Sequence, residues 1–220
     1  MNTFSASRVA PHITIEHYSQ ENYATAESAL QKLNSRPNGK SLLDELRNLS
    51  TDGRYVKIKV TSAATVAGPF LTESQGKRFD MHPSEYDKEH NMKAVQLAQK
   101  QSLGKKGEGT CASVFWNPRH SVAVDSHGVP MLWEDNALAF VSLGHELVHS
   151  YRMMKGTYTG GDSDRHDPKT PAGQEESRAV GIGKYANEPL SENGIRQEHG
   201  LPLRQQYAPF GKETGNPRRV

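Results

Sequence analysis

Cysteine is almost missing from this chain. Cys111 is the single one in 220 residues, so no intramolecular disulfide can form, and a reducing compartment suits the chain. No apolar run approaches the roughly 20 residues needed to cross a bilayer, so no membrane insertion is expected. Aromatic residues make up 7% and hydrophobic residues 34% of the chain, which leaves a modest core and much polar surface. Neither sign of charge prevails: the net charge is +2, and the basic residues are scattered. Nothing therefore calls for a nucleic-acid partner. Met1 to Gln20 lacks a positively charged start followed by an apolar block, so export by the general secretory route is not expected.

The length fits one domain with loose ends. Residues 1–20 read as a flexible segment with a short extended piece at His12 to Ile15. A plain disordered terminus and a secretion or chaperone-binding segment both suit that composition. A single domain is expected over 21–210, followed by a flexible tail over 211–220. Apolar spacing predicts a helix through Ala24, Leu30 and Leu33, ended by Arg36-Pro37-Asn38-Gly39. A second helix is expected from Ser41 with Leu42, Leu46 and Leu49 inward. Alternation over Tyr55 to Val60 predicts a half-buried strand. The signal from Ser62 to Pro83 is weak, and a polar helix is expected from Ser84 to Leu103. Gly104 to Gly109 lacks phosphate-loop spacing and reads as a glycine-rich turn. Short strands at 112–116, 121–125 and 129–133 predict a small antiparallel sheet just before the next helix. His120 and His127 fall at its turns and read as surface or structural, and Cys111 as a small buried residue.

What is present in abundance is chemistry in one stretch. His145-Glu146-Leu147-Val148-His149 is the pattern His-Glu-x-x-His. Asp135-Asn136 can cap a helix that carries it, Leu143, Leu147 and Tyr151 recur at helical spacing, and Gly156 is a stop. On such a helix both imidazoles project from one face towards one ion, and Glu146 can reach a water beside it. A buried Glu146 needs a partner, and a metal supplies one. A catalytic zinc site takes three protein ligands and leaves one position open. The pattern continuing as H-E-x-x-H-x-x-G-x-x-H is excluded, because Arg152 stands where its glycine belongs and Lys155 where its histidine belongs. A glutamate from a second helix is the alternative. Glu175 and Glu176, after Thr170-Pro171-Ala172-Gly173, are the candidates. They point about 100° apart on a helix, so one faces the metal. Glu176 is favoured, with Glu175 next; the other can orient a ligand histidine or pair with Arg178. His166 and Asp164, on a glycine-rich loop, rank below both.

The order of these motifs resembles the NleD-type zinc metallopeptidases, effectors that pathogenic bacteria inject into host cells by type III secretion. The residues that carry the resemblance are His145 to His149, Gly160-Gly161-Asp162 and Glu175-Glu176-x-Arg178-Ala179-Val180-Gly181. The tail Ser191-Glu192-Asn193-x-Ile195-Arg196-x-Glu198-His199-Gly200-Leu201-Pro202-Leu203-Arg204-x-x-Tyr207 extends it, and resembles the plant-pathogen members. The site is also similar to that of clostridial neurotoxin light chains, which carry His-Glu-x-x-His, a Glu-Glu-x-Arg segment and an Arg-x-x-Tyr pair. The resemblance implies an α+β, zincin-like metalloprotease domain: a small, mostly antiparallel sheet packed on the His-Glu-x-x-His helix, with a C-terminal helical segment. It implies one Zn²⁺ held by His145, His149 and Glu176, with Glu146 as base and Arg204 and Tyr207 as transition-state stabilisers. It also implies secretion by the type III route, action in the host cytosol and a host protein substrate, with a signalling kinase such as a mitogen-activated protein kinase the first to test. Without the resemblance, Arg204 and Tyr207 read as a surface salt bridge and a packing residue. The competing functional readings are a catalytically silent zinc effector that captures a host protein, and a housekeeping metallopeptidase.

Overall fold

The computed structural model describes residues 2–82, 84, 87–101 and 104–208. Alternating side chains build its sheet. Along Val56–Val60 (β3), Val56, Ile58 and Val60 turn into the core, while Lys57 and Lys59 turn towards Glu16. β1 (Thr3–Ala6), β2 (Ile13–His17), β3, β4 (Val66–Phe70) and β5 (Cys111–Trp116) form one sheet in the order β1-β2-β3-β5-β4. β2–β3 and β3–β5 are parallel; the outer pairs are antiparallel. The sheet is therefore mixed and not mainly antiparallel. The expected three-stranded sheet before the metal helix divides in two. β5 joins the large sheet, and β6 (Ser121–Val124) pairs only with β7 (Pro130–Trp133) as a separate antiparallel hairpin. Asn117 makes the break: its side chain donates to Ser62 O and accepts from Arg119 N, turning the chain away after β5.

Helices α1 (Gln20–Asn34), α2 (Pro37–Leu49) and α5 (Ala139–Met154) cover the sheet, and their apolar faces meet it in one core. Ile13, Ile15, Ile58 and Val114 supply the sheet side; Leu30, Leu33, Leu42, Leu46, Leu143 and Leu147 supply the helix side. Complete burial of each such side chain contributes about 1.5–3 kcal/mol. α5 lies in the middle, touching β4 and β5 on one side and α1, α2 and α7 (Glu192–Glu198) on the other. The metal-motif helix is thereby held from all directions. Among the described residues, no helix is long and apolar enough to cross a membrane.

Several expectations change here. Residues 3–17, expected as a flexible segment, form β1 and β2. Two inward isoleucines suffice for a short strand, so a polar stretch can still be core. The carboxylate of Glu16 locks the strand to Lys59 at 3.0 Å and Lys57 at 3.7 Å. α1 stops at Asn34, just before the extended Arg36, as expected, but Pro37-Asn38-Gly39 already belongs to α2, which starts before Ser41: Pro37 takes the first helical position, where no N–H is needed. The free N–H groups of Asn38 and Gly39 donate to Glu198, 2.6 and 2.9 Å away on α7. The weak region contains β4 and α3 (Glu73–Phe79), whose start is a capping box between Thr72 and Gln75. α4 is shorter than expected, Lys88–Ala98 with Asp87 as cap; Leu103 lies outside the described residues, as does the expected flexible tail 211–220. α5 begins at Ala139 without a side-chain cap, because Asp135 bonds Ala137 N in the preceding turn.

Candidate metal centre and catalytic pocket

His145 and His149 sit one turn apart on α5, with ring centroids 4.8 Å apart. Their Nε2 atoms are 3.1 Å from each other. Glu176, on α6 (Pro171–Val180), brings its Oε2 to 3.2 Å from His145 Nε2 and 3.1 Å from His149 Nε2. Three ligand atoms thus form a nearly equilateral triangle. Tetrahedral zinc with bonds of about 2.0–2.1 Å spaces its ligand atoms about 3.3–3.4 Å apart, so this triangle fits the ion after opening by roughly 0.2 Å. Two imidazole nitrogens and a carboxylate oxygen are also the donor types zinc takes.

The far sides of both rings fit the same assignment. His145 Nδ1–H donates to Glu192 Oε2 at 2.9 Å, and His149 Nδ1–H to Glu175 Oε1 at 3.2 Å. With both Nδ1 protons committed, the Nε2 lone pairs are left to face the shared point. Each supporting carboxylate is anchored in turn. Glu175 accepts from Arg152 Nε at 2.6 Å and from Thr159 N and Oγ1 at 3.0 and 2.7 Å. Glu192 accepts from Arg196 Nε and Arg204 Nη1, each at 2.7 Å. Burial opposes the ionised form of Glu175, but the His149 bond and the Arg152 charge outweigh it and hold its pKa down to about 2. Glu192 is held well below the usual carboxylate range, burial again being outweighed, here by Arg204 and His145.

Glycine sets the spacing of these elements. Gly181, at φ +81°, ends α6 in the left-handed region, and a Cβ there would lie 2.6 Å from Ser191 Oγ. Ser191 is the cap of α7 and accepts from Gly194 N. The close approach brings Glu192, the first residue of α7, up to His145. Gly144 does the same for α5 and α7: a Cβ on it would lie 2.7 Å from Ile195 Cδ1.

Glu146 is half-buried on the same helix, next to a cavity of about 380 Å³. Burial raises its pKa; His145, His149 and a bond from Ala67 N–H on β4 pull the other way without cancelling the rise. Arg204 and Tyr207 border the same cavity. They do not lie on a helix: residues 201–208 contain none. Asn193 grips the Arg204 backbone at both N and O, each at 2.9 Å, and the Arg204 guanidinium also donates to Tyr207 O. The Tyr207 ring stacks at 6.3 Å from His145. Burial, with Glu176 nearby, pushes the Tyr207 phenol up, against the pull of Arg165. At neutral pH the phenol therefore keeps its proton and is a donor.

Of the lower-ranked residues, His166 borders the cavity with its ring 5.7 Å from Tyr207, outside the ligand triangle. Asp164 is exposed and bonds His166 N. His120 borders the cavity, His127 lies in an exposed turn, and Cys111 is buried with its thiol pushed up to about 12 by burial. Sequence reasoning missed Glu192, Asn193 and Arg165. Glu192 and Asn193 follow the helix-capping Ser191, which was the available signal; their targets lie 47 and 11 residues away in the chain. Arg165 lies 3.9 Å from Glu176 and carried no signal.

The model of peptidase family M91, described as effector protein, matches residues 12–207. No curated protein matches the chain. Among solved structures, the catalytic domain of Clostridium botulinum neurotoxin serotype F aligns with a TM-score of 0.46 and 14% identity over 81% of this chain and 47% of that one. The botulinum neurotoxin serotype HA light chain aligns with a TM-score of 0.44 and 15% identity over 82% of this chain and 46% of that one. The chain spans about half the length of these light chains.

Proposed function

The chain belongs to peptidase family M91 of effector proteins, and we propose that it is a zinc-dependent endopeptidase that acts on a protein of a host cell. The observation that carries this reading is the triangle of His145 Nε2, His149 Nε2 and Glu176 Oε2 beside Glu146 at an open cavity. His145, His149 and Glu176 would hold the ion, oriented by Glu192 and Glu175. When bound, zinc supplies Lewis acidity, acidifying a water molecule and polarising the scissile carbonyl.

The rest is the work of side chains. Glu146 takes the proton of the attacking water at its carboxylate, for which a raised pKa suits it. It then delivers that proton to the departing amine. Tyr207, protonated, donates to the oxygen on which negative charge develops, and Arg204 adds positive charge at the same wall of the cavity. Glu192 holds Arg204 and His145 together, so clamp and ligand share one anchor.

The proposal includes delivery by a type III secretion system and action in the host cytosol; the effector family supports entry into a host, and a single cysteine suits a reducing compartment. A host signalling kinase, such as a mitogen-activated protein kinase, is the first substrate to test. In the direct experiment, host extract is treated with wild-type protein or Glu146→Gln, and new N-termini are mapped by mass spectrometry. Wild type is expected to generate a defined set that Glu146→Gln does not, with zinc still bound to the variant. Cleavage by the variant at the wild-type rate would remove Glu146 as the base. Zinc binding with no cleavage by either protein would favour a non-catalytic effector that captures its target.

A further inference from the structure

One wall of the cavity takes no part in holding the ligand triangle or moving protons. It is the β6–β7 hairpin. Its register pairs Val122 with Leu132 and Val124 with Pro130, so these four side chains share one face of the ribbon. Val122, Pro130 and Leu132 of that face line the cavity that holds Glu146 and His145. Leu132 is 66% exposed there, in a chain whose mean hydropathy is only −0.76. Such a chain has few large apolar side chains to leave in water, and this one stands at the rim of the reacting groups.

The wall is fixed in place. Arg196 Nη2 donates to Val122 O at 2.7 Å, and Gln205 N donates to Gly128 O at 2.9 Å. Both partners lie on the segment that also carries Glu192 and Arg204, so the hairpin is tied to the same frame as the metal ligands. It cannot fold inward to bury Leu132 without breaking those bonds. Ala64 and Thr65 line the same cavity of about 380 Å³ with small side chains. Val122, Pro130, Met131 and Leu132 are the apolar lining of the hairpin, with His120 and Ser121 at the start of β6 as its polar members; an ionised side chain laid on the apolar four would lose its water without gaining a partner.

We infer that the substrate is a polypeptide carrying a large apolar side chain, aliphatic or aromatic, beside the bond that is cut, seated against Val122, Pro130 and Leu132. This rests on the endopeptidase reading. The test uses the full-length, zinc-loaded protein and a peptide mixture made from a proteome, with residues on both sides of every cut read by mass spectrometry. Large apolar residues are expected to be enriched at one position flanking the cut. Leu132→Glu, at an exposed site, is expected to keep its zinc and its circular dichroism. It should lower kcat/KM for an apolar peptide by about tenfold or more, and shift the enriched position towards Lys and Arg. Cuts that vanish in Glu146→Gln but show no apolar preference, or a Leu132→Glu profile equal to wild type, overturn the inference and leave the endopeptidase reading standing. An absence of any Glu146-dependent cut overturns both.

Discussion

Glu175 and Glu176 are neighbours in the chain yet meet different partners. Glu176 points at both Nε2 atoms, while Glu175 is spent on His149 Nδ1, Arg152 and Thr159. The difference predicts different failures. Glu192→Gln weakens the hold on His145, so zinc affinity is expected to fall about 10–100-fold in competition with a chelator, and it strips the buried Arg196 and Arg204 of their shared counter-charge. Glu175→Gln should weaken zinc similarly through His149. It also leaves the buried Arg152 without its counter-charge, so unfolding in urea should show a further loss of about 3–5 kcal/mol. If Glu175→Gln is as stable as wild type, Arg152 finds another partner and the anchoring role of Glu175 is wrong.

At the level of elements, α5, α6 and α7 must approach closely for their side chains to meet. Gly181 allows it at the end of α6. Gly181→Ala forces a side chain into the left-handed region and against Ser191 Oγ, 2.6 Å from its Cβ. A stability loss of about 1–3 kcal/mol is expected, read as a fall in Tm. Zinc affinity should fall as well, because Ser191 caps the helix that presents Glu192; a variant with lowered Tm and unchanged zinc affinity would separate the two. α2 shows the same dependence on distant partners, since the carboxylate on its first N–H groups belongs to Glu198, 160 residues on.

For the molecule as a whole, buried carboxylates set the response to acid. Glu175 has a pKa near 4.5 when unfolded and about 2 when folded, and Glu192 is depressed in the same direction. A depressed folded pKa means stability that is fully present above about 4.5 and lost as pH falls towards 2. The metal-free protein should therefore lose stability with falling pH through that window, and Glu175→Gln should flatten the slope; equal slopes in urea titrations would contradict it. The N-terminal strands belong to this whole, because Ile13 and Ile15 are fully buried against β3 and the helices.

By itself the sequence placed His145, Glu146 and His149 on one helix with both histidines on one face, because a 3.6-residue period and a four-residue spacing are local facts. It also narrowed the candidate third ligand to Glu175 or Glu176, and the family resemblance marked the segment ending in Arg204 and Tyr207. The expectation of an α+β domain with a sheet packed on that helix holds. The strand partners could not be read, because pairing β5 with β3 and β4 is a choice among distant segments that local alternation does not encode. Nor could the roles of Glu192, Asn193 and Glu198, since a carboxylate or amide looks alike in sequence whether it faces water or anchors a ligand. Only the tertiary structure decided which glutamate faces the histidines, what holds each ring, and that an apolar hairpin walls the cavity. Those are distances between residues far apart in the chain, fixed only once the core has closed around α5.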